Sequence, residues 1–72
     1  MRLNGPAVRE LRRARNVGLR QLADQIGRNR GYLSRLERDL VREPADEVVH
    51  LLAEALAVPV IAITRDIPKE SP

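Results

Sequence analysis

Apolar residues recur along the chain with the spacing of amphipathic helices, in which positions i, i+3, i+4 and i+7 share one face. This pattern predicts four helices, at about residues 6–15, 19–26, 30–39 and 46–56. The apolar positions that define them are Val8, Leu11 and Ala14, then Leu19, Leu22, Ala23 and Ile26, then Leu33 and Leu36, and finally Val49, Leu52, Ala53 and Leu56. We therefore expect an all-α fold with these side chains facing its core.

Residues with strong capping and turn preferences lie at the ends of the predicted helices. Asn4 can cap the first helix and Asn29 the third, because the side-chain oxygen of asparagine accepts a backbone N–H. Gly27 suits the left-handed turn that commonly ends a helix, here the second. Pro44 and Pro59 bound the fourth helix, since proline lacks a backbone donor. These residues indicate short helices joined by tight turns.

The segment 58–63, VPVIAI, is compatible with two structures. A proline at a first helical position favours one short turn of helix, whereas the run of β-branched residues favours a strand. We favour the helix, which gives a compact five-helix domain over residues 1–65. A strand would instead pair with its copy in a second chain, because a lone strand has no partner. Residues 66–72 are polar and contain two prolines, which predicts a flexible tail.

The composition restricts the classes of protein that this chain can represent. Its 72 residues are enough for one small domain, and the absence of cysteine excludes disulfides and thiolate metal sites. His50 is the only histidine, and no glycine-rich phosphate loop is present, so we expect no metal, no cofactor and no enzymatic activity. No apolar segment has the length of a membrane span or a signal peptide, so we expect a cytoplasmic location.

Charge is distributed unevenly between the two halves of the chain. Residues 1–42 contain eleven arginines and four carboxylates, a balance of +7, whereas residues 43–72 have a balance of −4. Arginine also forms paired hydrogen bonds with phosphates and base edges better than lysine does. The asymmetry predicts a nucleic-acid or anionic-membrane surface on the first half. The membrane alternative is disfavoured, because the core consumes the apolar residues.

The third predicted helix separates into a polar face and an apolar face. At about 100° per residue, an arc of about 140° contains the polar residues Arg30, Gly31, Ser34, Arg35 and Arg38. The apolar residues on the other side are Tyr32, Leu33 and Leu36. Gly31 lies in the middle of the polar face, where it costs about 1 kcal/mol relative to alanine. Its small size lets another surface come close, and the flanking arginines indicate that this surface is anionic and grooved.

The second helix, the turn at Gly27 and the basic third helix together form a helix-turn-helix. From Val8 to about Ile63 the chain resembles the phage Cro and repressor class, or XRE-like family, of helix-turn-helix DNA-binding domains. The matching motifs are Leu11-Arg12, Leu22-Ala23, Ile26-Gly27, YLSRLER at 32–38, Pro44, and AEAL at 53–56 with Val58. The resemblance implies five helices, with the third in the DNA major groove. It also implies a partly buried ion pair between Arg12 and Glu37.

The chain departs from the family pattern at two places. Gly18 and Leu19 stand where the family usually has a Ser or Thr cap followed by a phosphate-contacting Gln, so the backbone amides and Arg20 are left to contact phosphate there. Asp39 stands where the family usually has glycine after the Glu-Arg pair, which puts the end of the third helix in doubt.

The resemblance and the polar face together define the expected contacts with DNA. Base contacts are expected from exposed positions early in the third helix, namely Arg30, Gly31, Ser34 and Arg35. Contacts with the DNA backbone are expected from helix ends and loops beside the groove, namely Arg20, Arg28, Asn29, Tyr32, Arg38 and Arg42. Simpler explanations exist for each: the arginines can be solubilising charges, Asn29 a helix cap and Tyr32 a packing residue.

The expected function is a sequence-specific regulator of transcription that binds double-stranded DNA, in the manner of a Cro-type repressor controlled by its abundance. One recognition helix contacts only a few base pairs, so we expect a homodimer on an inverted repeat with half-sites about 34 Å apart. The dimer contact is assigned to Val60, Ile61 and Ile63, in the less basic half. The alternative is an antitoxin or other partner-binding module, in which the fourth helix and the tail bind another protein and DNA contact is secondary.

Overall fold

The computed structural model describes residues 1–65, which form four α-helices followed by one short 3-10 helix. Their bounds are α1 Gly5–Ala14, α2 Leu19–Ile26, α3 Arg30–Glu37, α4 Asp46–Leu56 and the 3-10 helix Val60–Ile63. The predicted all-α class is confirmed. The last element is a single 3-10 turn, so the predicted count of five helices is not confirmed. The predicted flexible tail, 66–72, lies outside the described residues.

The residues after the 3-10 helix pair with the N-terminal segment of the same chain. Thr64 forms an isolated antiparallel β-bridge with Leu3. Next to it, the backbone N–H of Arg65 donates to the carbonyl of Arg2 at 2.8 Å. Apart from this bridge, no strand forms within residues 1–65. Residues 60–63 thus form the 3-10 helix instead of the strand considered for 58–63, and the bridge is made by Thr64, just beyond that segment.

The core contains one apolar face from every helix. Its buried hydrophobic residues are Leu3, Val8, Leu22, Ala23, Ile26, Leu33, Leu36, Val48, Val49, Leu52, Ala53, Leu56 and Ile63. The apolar positions predicted on α4 are all among them. Ala14, the last residue of α1, was predicted to face inward but is exposed. Leu3 was not predicted to be buried, because it lies outside any helical pattern.

The predicted role of Ile63 in a dimer contact is wrong, because its side chain belongs to the core. Ile63 has no exposed surface, whereas Ile61 is 81% exposed and Val60 is half-buried. Side chains in a 3-10 helix follow one another at about 120°, so burial of Ile63 turns Ile61 toward solvent. Of the three predicted residues, only Val60 and Ile61 remain available to a partner.

A nearly buried ion pair holds α1 against α3. Arg12 Nε donates to Glu37 Oε2 at 2.7 Å, and Arg12 Nη2 donates to Glu37 Oε1 at 3.0 Å. A third nitrogen, Arg12 Nη1, donates to the carbonyl of Val17 at 2.9 Å. The side chains are only 13% and 5% exposed. Because both carboxylate oxygens are bonded in a planar two-point contact, the pair fixes the orientation of α3 relative to α1.

A second contact between the same helices lies at the C-terminal end of α3. The helix ends at Glu37, two residues before its predicted end, and Asp39 has the left-handed φ of +63°. Asp39 Oδ1 accepts from the N–H of Gly5 at 3.2 Å, and Asp39 Oδ2 pairs with Arg65 Nη2 at 3.0 Å. These two bonds offset the cost of about 1–2 kcal/mol that a left-handed conformation imposes on a non-glycine residue. A Cβ at Gly5 would collide with the carbonyl oxygen of Leu36, so α1 and α3 meet there through glycine.

Several helix ends carry the groups that the sequence predicts for them. Asn4 Oδ1 accepts from the N–H of Ala7 at 3.2 Å and caps α1. Gly27 ends α2 with a left-handed φ of +71°. At the N-terminus of α4, the ammonium of Met1 donates to Asp46 Oδ1 at 2.9 Å. This hydrogen bond and the positive charge of the ammonium lower the pKa of the Asp46 carboxyl.

We expect Arg12→Ala to lower the free energy of unfolding by about 3–5 kcal/mol, because Glu37 would stay buried without its counterion. Glu37→Gln should destabilise in the same direction, since it leaves the guanidinium unpaired. Chemical denaturation followed by circular dichroism measures both. Arg13→Ala, which removes an exposed arginine beside Arg12, is the matched control and should change stability little. Equal stability of the Arg12 and Arg13 variants would contradict this account of the ion pair.

Candidate nucleic-acid interface

The turn between α2 and α3 comprises residues 27–29 and is closed by hydrogen bonds at both ends. The N–H of Arg28 donates to the carbonyl of Ala23 at 3.0 Å, which completes the left-handed end of α2 at Gly27. Asn29 Oδ1 then accepts from the N–H of Tyr32 at 2.8 Å and caps α3. Asn29 is thus a helix cap, which was the simpler interpretation of this residue from the sequence. The turn is short and bonded, so it sets the angle between the two helices.

The two predicted faces of α3 are present in the structure. Leu33 and Leu36 have no exposed surface, and Tyr32 is half-buried against the core. On the opposite face the exposed residues are Arg30, Gly31, Arg35 and Arg38, with Ser34 half-buried among them. A Cβ built on Gly31 would touch only the cap oxygen of Asn29, at 3.4 Å. The surface over Gly31 is therefore open to an approaching molecule.

Further arginines lie at the edges of this face. Arg20 is exposed on α2, Arg28 is half-buried in the turn, and Arg42 is exposed in the loop that follows α3. Arg28 Nη1 donates to the carbonyl of Gly27 at 3.4 Å. Within residues 1–65, none of the exposed arginines on α2, on α3 or in the following loop has a carboxylate partner. The structure therefore places the predicted contact residues on and around one cationic surface.

Two carboxylates in and just beyond α3 are paired with arginines. Glu37, in α3 itself, is paired with Arg12, and Asp39, just beyond α3, is paired with Arg65. Neither leaves a free negative charge beside the exposed arginines. The exposed face of α3 is thus positive, which favours association with polyanions.

A groove of about 200 Å³ borders the cationic surface where α1, the start of α2 and α3 meet. Its lining residues are Arg9, Arg12, Leu19, Ser34, Glu37 and Arg38. Gly18, at the start of α2, offers no side-chain cap, so the first amides of α2 are not bonded by one. Helix N-termini carry partial positive charge, and uncapped amides there are donors for an anion. The groove therefore offers backbone N–H donors in addition to the guanidinium groups of α3.

Arg9 is a residue of this groove that was not predicted from the sequence. It lies three residues before Arg12, and residues at that spacing share one side of a helix. Since Arg12 faces α3, the spacing is enough to place Arg9 near the same junction. The apolar positions of α1 alone do not reveal it, because they mark only the side of the helix that faces the core.

The arrangement offers hydrogen-bond donors and positive charge. Among residues 1–65, no group of three or more His, Cys, Asp or Glu side chains is placed to hold a metal ion. None of the described helices has both the length and the apolar character needed to cross a membrane. The exposed face of α3 is convex, and the turn and the N-terminus of α2 add hydrogen-bond donors at its edges. This shape and charge are complementary to a grooved polyanion.

Comparison with known proteins assigns the class. A model of the helix-turn-helix domain family matches residues 5–63, and the chain belongs to this family. Among curated proteins, an HTH-type transcriptional regulator of Mycobacterium tuberculosis, recorded for two strains, is 41% identical over 54 residues. The match covers 75% of this chain and 38% of that protein, so the chain spans well under half the length of the relative. The name of that relative describes it as a regulator of transcription.

Solved structures show the same fold. The clp gene regulator ClgR from Corynebacterium glutamicum is 37% identical, with a TM-score of 0.74 over 79% of this chain and 60% of that one. The master regulator for biofilm formation SinR, solved in complex with DNA, is 28% identical, with a TM-score of 0.74 over 79% of this chain and 90% of that one. The likeness to both extends beyond the helix-turn-helix to most of the described chain.

We expect Gly31→Ala to raise stability by about 1 kcal/mol while weakening binding to duplex DNA. Alanine is the better helix former, and the added methyl group meets only the Asn29 cap at ordinary contact distance. The same methyl group occupies the open surface over α3. Thermal melts and fluorescence anisotropy on one preparation measure the two effects.

His50→Ala is the control for this prediction, because His50 is exposed on α4, away from α3. It should leave duplex affinity unchanged. If Gly31→Ala binds duplex DNA as tightly as the parent protein, the open surface over α3 is not where DNA approaches.

Proposed function

We propose that this chain is a sequence-specific DNA-binding domain that regulates transcription, and that α3 enters the major groove. The observation that carries the proposal is the exposed face of α3, on which arginines that have no carboxylate partner within residues 1–65 flank an open position at Gly31. A helix about 10–12 Å wide fits the major groove, and a glycine on its leading face lets it go deeper. Family membership and the DNA complex of SinR support the proposal.

Arg30 and Arg35 are the residues proposed to contact bases. Both are exposed on α3, and a guanidinium can donate two hydrogen bonds to O6 and N7 of guanine. Ser34 lies between them but is half-buried, and it also lines the groove beside α1. Its hydroxyl is therefore proposed to contact either a base edge or the DNA backbone. Gly31 contributes close approach and no side chain.

The surrounding donors are proposed to contact the DNA backbone. Arg20, Arg28, Arg38 and Arg42 lie around α3, where a duplex in contact with that helix presents its phosphates. The uncapped start of α2 supplies backbone amides for one more phosphate. Two residues with structural roles are proposed to add contacts: the side-chain amide nitrogen of Asn29, which the cap does not use, and the hydroxyl of Tyr32.

The regulator is proposed to act as a homodimer on an inverted repeat, as a Cro-type repressor. Two copies of α3 double the number of base pairs contacted, and a twofold axis in the protein matches a palindrome in the DNA. Ile61, 81% exposed on the 3-10 helix, is the proposed centre of the dimer contact, with Val60 beside it. Repression requires only that the bound dimer blocks its site, so it needs no activating surface.

Base contacts and backbone contacts are expected to respond differently to substitution. Arg30→Ala or Arg35→Ala should cost about 1–3 kcal/mol on the cognate duplex and relax the preference at one base pair, with a much smaller loss on scrambled DNA. Arg38→Ala or Arg42→Ala should weaken binding to both duplexes alike and lower the salt slope by about 1 for each phosphate that the variant no longer neutralises. Anisotropy titrations at several salt concentrations measure all four variants.

These titrations also contain the result that would overturn the proposal. If the four variants lose the same affinity for cognate and scrambled duplexes, α3 is a cationic face without sequence preference. Regulation by a specific site would then be the wrong function for this surface. The partner-binding alternative would gain support from that result.

Ile61→Asp is expected to convert the dimer into monomers, because a carboxylate cannot be desolvated cheaply in an apolar contact. Sedimentation equilibrium without DNA measures it. Leu40→Asp is the matched control, since Leu40 is the other large hydrophobic residue exposed among residues 1–65, at 62%. It should leave the dimer intact. Ile63→Asp is expected to unfold the domain instead, because Ile63 is fully buried.

A dimer that survives Ile61→Asp would place the contact elsewhere. Dissociation by Leu40→Asp but not by Ile61→Asp would move the contact to the loop after α3. A parent protein that is monomeric both alone and on the cognate duplex would remove the dimer from the proposal.

A further inference from the structure

A large apolar side chain is exposed at the edge of the cationic surface. Leu40, in the loop that follows α3, is 62% exposed. Arg38 lies two residues before it and Arg42 two residues after it, and both arginines are exposed. The proposed contacts with the DNA backbone include both arginines but not Leu40. Single exposed leucines are common in soluble proteins, so a role for this one has to follow from its surroundings.

The loop around Leu40 is held in one conformation by hydrogen bonds and by the core. The N–H of Leu40 donates to the carbonyl of Arg35 at 2.9 Å, and the carbonyl of Arg42 accepts from the N–H of Leu3 at 2.9 Å. Between these two bonds, Val41 packs against the core. The exposure of Leu40 is therefore a property of a bonded loop, in which the backbone on both sides is anchored.

Asp39 sets the direction in which the chain leaves α3. Its φ of +63° is left-handed, which is the conformation that commonly ends a helix. Beyond it the side chains alternate, because Val41 packs against the core whereas Leu40 and Arg42 are exposed. Leu40 and Arg42 therefore both face solvent at the end of α3 where Arg38 is also exposed.

A fixed leucine with an exposed guanidinium on either side is complementary to a surface that alternates charge with apolar carbon. The DNA backbone is such a surface, because each phosphate is followed by a deoxyribose. Guanidinium groups bind phosphate oxygens, and removal of apolar surface from water stabilises the contact between leucine and sugar. Since the loop is already ordered, contact costs little conformational entropy.

A second copy of this chain fits the same position less well than DNA does. A twofold contact centred on Leu40 would bring Arg38 and Arg42 of both copies together. Like charges placed opposite one another across an interface oppose association. DNA instead presents the opposite charge to both arginines.

We infer that Leu40 packs against a deoxyribose of the DNA backbone, among the phosphates that Arg38 and Arg42 contact. The inference rests on the proposed function and adds an apolar contact to it. Every nucleotide of a duplex has a deoxyribose, so this contact raises the affinity for DNA of any sequence and selects no base. The methyl group of thymine, which is the apolar group on a base edge in the major groove, is the alternative that the experiment has to separate.

The test replaces Leu40 by side chains of similar size that differ in polarity. Leu40→Asn removes the apolar surface, and Leu40→Met is the matched control that keeps it. Anisotropy titrations at several salt concentrations use the cognate duplex, a scrambled duplex and a cognate duplex in which uracil replaces every thymine. Arg38→Ala is measured beside them as the example of a lost charge, and circular dichroism checks the folding of each variant.

We expect Leu40→Asn to weaken binding to the cognate and scrambled duplexes alike, by about five- to tenfold, because part of a leucine side chain is no longer buried. Its salt slope should equal that of the parent protein, since no charge has been removed, whereas Arg38→Ala should lower the slope by about 1. The loss should be the same on the uracil duplex. Leu40→Met should bind nearly as tightly as the parent protein.

Three results of these titrations would overturn the inference. The first is Leu40→Asn binding both duplexes as tightly as the parent protein. The second is a loss that disappears on the uracil duplex, which would assign Leu40 to a thymine methyl group. The third is a salt slope lowered as much as in Arg38→Ala, which would mean that the substitution acts by displacing an arginine.

Sedimentation equilibrium without DNA covers the remaining occupant. Dissociation of a free dimer by Leu40→Asn would assign Leu40 to the contact between copies and would also overturn the inference. The contact with deoxyribose does not depend on sequence, so its loss is measurable on scrambled DNA even if the parent protein prefers no site. Failure of this contact is thus distinguishable from failure of specific recognition by α3.

Discussion

The ion pair between Arg12 and Glu37 is the interaction on which the rest of the structure depends. A buried carboxylate is costly unless its charge and both oxygens are satisfied, and here one guanidinium satisfies them while also bonding the carbonyl of Val17. The pair thus joins α1, the following loop and α3 at a single point. The pair sets the orientation of α3 even if it stabilises the fold no more than an apolar contact would, because only one orientation of α3 satisfies all its hydrogen bonds.

The same pairing produces the charge of the exposed surface. Glu37 lies in α3 and Asp39 just beyond it, and both are paired with arginines, Arg12 and Arg65. Within the described residues, 1–65, the arginines on the outer face of α3 have no carboxylate partner. Core architecture and the cationic surface are therefore parts of one arrangement: Glu37, the carboxylate of α3, is neutralised inside the fold, and the outer face of the helix keeps its positive charge.

Much of the fold was predictable because the information is local. Helical spacing placed α4 at its observed bounds, and Gly27 and Asn29 marked the turn because their backbone preferences do not depend on distant residues. The features that were not predicted depend on contacts between distant parts of the chain. Leu3 and Ile63 are buried because the two ends of the described chain pair with each other. Asp39 takes the left-handed conformation because Gly5 and Arg65 reach it from distant positions, which no local pattern reveals.

The candidate site divides in the same way. Its central face followed from helical geometry. The spacing from Arg12 also places Arg9 at the junction with α3, but the apolar positions of α1 do not mark that side of the helix. The central claim, that α3 recognises a defined DNA sequence as part of a symmetric dimer, is tested most directly by selecting bound duplexes from a random pool. The account predicts enrichment of an inverted repeat with guanines in each half-site and half-sites about one helical turn apart. A pool that remains random after repeated selection would contradict it.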